Sequence, residues 1–113
     1  MLELSETQVN ELRWGDANYF GYYWDTQFTD PTLIIRIAPA NSPIQELVCN
    51  WATNLKVNLD YKKHVNPLLT WEVIFEGLPN KRWKVVFDFT ENGSIEFESN
   101  GLAVRQLPSP TTT

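Results

Sequence analysis

The side chains able to do chemistry are few and scattered. His64 is the single histidine and Cys49 the single cysteine. A nucleophilic site needs a hydroxyl or thiol within hydrogen-bond reach of an imidazole, and a zinc-type site needs several His or Cys ligands at short spacing. Neither pattern surrounds His64, which follows Lys62 and Lys63 and reads as a solvated loop residue. Cys49 lies among Leu47, Val48 and Trp51, where a thiol packs as a small hydrophobe. It has no second cysteine with which to close an internal disulfide, in keeping with a reducing compartment. Gly15, Gly21, Gly77, Gly93 and Gly101 are dispersed rather than gathered into a phosphate cradle, which removes nucleotide chemistry by that route. The sequence therefore assigns no catalytic residue, metal ligand or cofactor.

Carboxylates are more numerous. Glu72 and Glu76 fall on one face of an alternating strand, and Asp88, Glu96 and Glu98 occupy the matching positions of the strands that follow. Acid–base catalysis would need two such groups in a pocket with their pKa values driven apart. An open sheet face is a poor pocket. Like charges facing one another are also destabilising, so the face must include basic neighbours such as Lys84 or be kept acidic for a partner.

The other conspicuous feature is Tyr19-Phe20-Gly21-Tyr22-Tyr23-Trp24, aromatic on both faces of any strand it forms. Its rings cannot all enter one core, and exposed aromatics anchor protein interfaces or stack on ligands. Asp16, Asp25 and Asp30 flank the stretch, which favours a protein partner over bases or phosphates. The partner-binding candidates are thus Tyr19, Tyr22, Tyr23, Trp24, Asp16 and Asp25, with Glu72, Glu76, Asp88, Glu96 and Glu98 as an acidic steering face.

The elements that must position these residues are read from periodicity. Ser5 and Gln8 stand at capping-box spacing before Val9 and Leu12, which predicts a short N-terminal helix ending at Gly15. Asn18–Asp25 reads as a strand, its glycine marking a bulge. Thr32–Ala38 reads as a central strand with Leu33, Ile35 and Ile37 on one face. Ser42-Pro43 begins a second capping box, and Ile44, Leu47, Val48, Trp51 and Leu55 recur at intervals of three and four, so an amphipathic helix is expected over about 43–54. The competing strand reading draws on Val48, Cys49, Trp51 and Thr53, all middling helix formers. Leu55, Val57, Leu59 and Tyr61 alternate as a strand. Beyond Thr70, Trp71/Val73/Phe75, Trp83/Val85/Phe87 and Ile95/Phe97 recur at period two between turn pairs Pro79-Asn80, Asn92-Gly93 and Asn100-Gly101, which predicts antiparallel hairpins with those residues facing a core.

These elements define an expected α+β fold: an antiparallel sheet of about six strands carrying one helix, with an all-β sandwich as the alternative if 43–54 is extended. A chain of 113 residues fits a single domain over 1–107, and Pro108–Thr113 has the composition of a disordered tail. A net charge of −5 disfavours direct nucleic-acid binding, and the absence of a long apolar run disfavours a membrane span, so a cytoplasmic protein is expected. The functional expectation is a non-enzymatic acidic module that binds another protein, in the manner of small inhibitor or immunity-type proteins. A homo-oligomer is possible. The alternatives are a ligand cleft lined by Trp14, Tyr22 and Trp24 with Asp16 or Asp25, and an acidic mimic of nucleic acid.

Overall fold

The computed structural model describes residues 3–26, 29–60 and 68–106. Two antiparallel sheets pack face to face, and the sheet order follows from which strands the sequence buries on both sides. The first has the order β5-β1-β2-β3-β9, built from β1 (Asn18–Asp25), β2 (Thr32–Ala38), β3 (Gln45–Asn50), β5 (Leu68–Leu69) and β9 (Gly101–Gln106). The second has the order β4-β8-β7-β6, built from β4 (Thr53–Leu59), β6 (Glu72–Leu78), β7 (Arg82–Asp88) and β8 (Gly93–Ser99). Between them Leu33, Ile35, Ile37, Leu47, Cys49 and Leu102 of the first sheet meet Val85, Phe87, Ile95 and Phe97 of the second. Phe87 stacks against Phe89 and Phe97 with ring centroids 6.5 Å apart in each case. Each such side chain contributes about 1.5–3 kcal/mol by leaving water.

The expected α+β class is overturned. Residues 45–50 and 53–59 are strands, and the sole α-helix among the described residues is α1 (Glu6–Asn10), five residues long. The all-β alternative is the one that holds, with 45–50 and 53–54 in strands on either side of a turn. The physical reason lies in β3 being covered on both sides. Leu47 and Cys49 face the inter-sheet core, while Val48 joins Ile34 and Ala103 in a second cluster on the outer face. A strand buried on both faces carries adjacent apolar residues, and the pair Leu47-Val48 therefore imitates helical spacing. The chain then turns at Trp51-Ala52, and the single expected sheet becomes two.

Other expectations hold locally, although α1 stops at Asn10 and not at Gly15. The Ser5 hydroxyl accepts from the Gln8 amide at 3.2 Å, and the Gln8 side chain accepts from the Ser5 amide at 2.8 Å, closing the capping box on α1. The amide of Leu4 donates to the Leu102 carbonyl at 2.7 Å, which ties this segment to β9. Trp71 departs from its alternation: it precedes β6 and is 66% exposed instead of joining Val73 and Phe75 against the core. Tyr61, the loop with His64, and the tail from Pro108 lie outside the described residues.

Candidate interaction surface

Aromatic content and one glycine shape β1. Gly21 has φ of 120°, a conformation open to glycine, and the register with β2 slips between Tyr19 and Gly21. The bulge leaves Phe20 as the extra residue and resets the alternation. Downstream of it Tyr22 stands opposite Ile35 and Trp24 opposite Leu33, while Tyr23 stands opposite Ile34. Tyr22 and Trp24 thus lie on the side that faces the second sheet. Yet Ile35 and Leu33 are fully buried, whereas Tyr22 is 39% and Trp24 44% exposed. The second sheet roofs β2 and leaves this part of β1 uncovered.

Trp51 lies at the same end of the molecule. The neighbouring Ala52 amide donates to the Pro31 carbonyl at 2.9 Å, next to the start of β2, where Thr32 pairs with Asp25. Trp51 has φ of 51° and is 44% exposed. The left-handed region costs a bulky residue roughly 1–2 kcal/mol, a conformation that glycine or asparagine would adopt more cheaply.

The aromatic and acidic candidates fall on different surfaces. Tyr19 is buried, with its ring 5.1 Å from that of Phe89. Asp16 occupies an exposed turn whose amide donates to the Thr70 carbonyl at 2.9 Å. That turn is clamped by the buried Thr70 hydroxyl, which donates to the Trp14 carbonyl at 2.5 Å and accepts from the Ala17 amide at 2.9 Å. Glu72, Glu76, Asp88, Glu96 and Glu98 share the outer face of the second sheet, as their spacing requires. Glu72 pairs with Asp88, Glu76 with Lys84, and Glu96 with both Val86 and Lys56. Lys84 reaches the Glu96 carboxylate at 3.4 Å, and Asn54 donates to Glu98 at 3.1 Å. Lys56 and Lys84 therefore interrupt the acidic row.

Sequence reasoning missed the charged centre of the outer face of the first sheet. Glu46 is 1% exposed, yet it carries a carboxylate. Arg36 Nε donates to its Oε2 at 2.8 Å, Arg105 Nε to its Oε1 at 2.6 Å, and the Tyr23 hydroxyl to its Oε2 at 2.9 Å. Burial alone would push this carboxyl up, but the three donors together outweigh it and hold the group below its ordinary range. Arg105 also lies 3.9 Å from Asp25, and the Arg36 guanidinium sits 5.2 Å from the centre of the Tyr23 ring. A carboxylate inside the run Gln45–Cys49 was the one available signal.

The cleft imagined from Trp14, Tyr22 and Trp24 is not assembled in this way. Trp14 is buried edge-on against Phe75, and with Asp16 and Glu72 it borders a shallow depression that neither Tyr22 nor Trp24 lines. A larger recess of about 780 Å³ lies between the N-terminal segment and the β6–β7 turn, where Glu3 and Glu6 oppose Lys81 and Arg82 beside Trp83. Among the described residues, no cluster of His, Cys, Asp and Glu could hold a metal ion, and no helix is long and apolar enough to cross a membrane.

Fold and surface together define a two-sheet antiparallel β protein with exposed aromatics at one end of β1. No protein-family model matches the chain, and no curated protein matches it in sequence. Its fold is similar to the crystal structure of an uncharacterized protein from Neisseria gonorrhoeae, with a TM-score of 0.60 and 14% identity over 82% of this chain and 93% of that one. At that identity the likeness concerns the fold alone.

Proposed function

We propose that this protein is a non-enzymatic module that recognises another protein, with Tyr22 and Trp24 as its anchors. The observation that carries this reading is the contrast across β1 and β2: both rings remain about two-fifths exposed beside fully buried partners. Large rings left in water on a rigid strand supply much of the energy of protein interfaces when they are covered. Trp51, displayed in a left-handed backbone at the same end, supports the same reading, because strain at an exposed aromatic is explained by a task other than folding. The acidic face of the second sheet steers approach; its interleaved lysines make it a poor imitation of a phosphate row.

The test is capture of host protein by the intact chain and by a Tyr22→Ala, Trp24→Ala double variant of matched folding. A stoichiometric protein held by the first and lost by the second supports the reading. Equal recovery by both overturns it.

A further inference from the structure

We infer that the recess of about 780 Å³ between the N-terminal segment and the β6–β7 turn is a second site, independent of the rings on β1, and that it takes a short peptide with free termini. The peptide's ammonium lies on the wall of Glu3 and Glu6, and its carboxylate on the wall of Lys81 and Arg82. The register of β6 and β7 provides the floor. Trp83 stands directly opposite Gly77, whose lack of a side chain leaves one side of the half-buried indole to the recess. The two walls come from distant parts of the chain. On one, the Leu4 amide donates to the Leu102 carbonyl at 2.7 Å, and the Glu3 carboxylate rests against Gly101, where a Cβ would displace it. On the other, Arg82 donates to two uncharged acceptors, the side-chain oxygen of Asn100 and Thr53 Oγ1, so its charge is oriented but not neutralised. Among the described residues, no ion pair joins one wall to the other. Lys81 adds a backbone signal. Asn80 and Lys81 have φ of 66° and 60°, both left-handed, and glycine is the usual second residue of such a two-residue turn. A lysine there strains the turn, and what it supplies is an ammonium at the rim of the recess. Opposite charges held apart across a gap suit a ligand that carries both, since each end then makes a charge-assisted hydrogen bond. The volume lies within the roughly 300–1,000 Å³ of small-ligand sites, which fits about two or three residues with an apolar side chain on Trp83.

The test titrates the intact protein with the tripeptide alanyl-phenylalanyl-alanine, followed by NMR, beside the N-acetylated and C-amidated forms of the same peptide. The expected result is saturable shifts at the Trp83 indole N–H and at the Gly77 and Asn100 amides, with affinity at least about tenfold lower for either blocked form. Two variants assign the ends. Lys81→Gly should melt higher than the parent, because glycine suits the turn, yet bind the free peptide more weakly and lose most of its preference over the amidated form. Glu3→Gln should weaken binding of the free peptide and leave that of the N-acetylated one unchanged. Absence of saturable shifts overturns the proposal, as does equal affinity for the free and blocked peptides. So does a Lys81→Gly protein that keeps the parent's affinity and preference, or a set of shifts at Tyr22 and Trp24 in place of Trp83, which would give the peptide to the surface on β1.

Discussion

Arg105 stands directly opposite Glu46 in the register of β9 and β3, and its Nε reaches the carboxylate at 2.6 Å. Arg36 stands opposite Glu46 on the other side, so three charges cross three strands in one row, with the acid at the centre. The cross-strand alternation that buries Ile34 and Val48 beneath Tyr23 brings Glu46 out of water on the same face. Its ionised form is kept there by its donors, not by solvent. Glu46→Gln is expected to cost about 1.5–3 kcal/mol at neutral pH. Because the folded pKa lies below the ordinary 4.5, this stabilisation is complete above that value and fades as the pH falls through the lower folded value. Melting temperatures measured from pH 7 to pH 3 should show the two proteins converging under acid. A constant gap would mean that Glu46 acts through packing alone.

Glu72 faces Asp88 directly across β6 and β7, an arrangement that like charges disfavour. Glu72→Lys should therefore stabilise the fold by about 0.2–1 kcal/mol in urea denaturation at low salt. The gain should shrink in molar salt, where exposed charges are screened.

Gly93 and Gly21 both have positive φ, but their surroundings differ. A Cβ on Gly93 would lie 1.8 Å from the Asn58 carbonyl oxygen, on backbone that cannot swing aside, whereas one on Gly21 meets nothing within 4 Å. Gly21→Ala should cost only the backbone strain, about 1–3 kcal/mol. Gly93→Ala should cost clearly more and separate β4 from β8, visible as loss of amide protection in both strands.

Cys49 is fully buried between the sheets, and burial pushes its thiol well above the usual cysteine range. Its reaction with an aromatic disulfide reagent at pH 8 should be slow in the native protein and fast in denaturant. Rapid labelling in the native state would require an opening of the inter-sheet core.

Trp51→Asn exchanges partial ring burial for relief of a left-handed backbone. The two terms are of similar size, so stability should stay within about 1 kcal/mol of the parent. Affinity for a captured partner should fall. An unchanged affinity would place this ring outside the interface.

Features that depend on neighbours along the chain were legible in the residues alone. Period-two alternation marked β6, β7 and β8, Ser5 and Gln8 marked the cap of α1, and the same alternation assigned Glu72, Glu76, Asp88, Glu96 and Glu98 to one face. Tertiary structure decided what depends on how many sides of a strand are covered. Residues 45–50 are apolar at neighbouring positions because a second cluster closes over their outer face, and no local pattern separates that from a helical stripe. The same holds for the rings of β1. The bulge sets Tyr19 and Trp24 on the same inner face, yet Tyr19 is core and Trp24 is surface because the second sheet does not cover that end of β1. The Arg36–Glu46–Arg105 row exists only through a register across β2, β3 and β9, residues brought together from 10 and 59 positions apart. Such long-range pairing is set by packing, which single-strand periodicity does not encode.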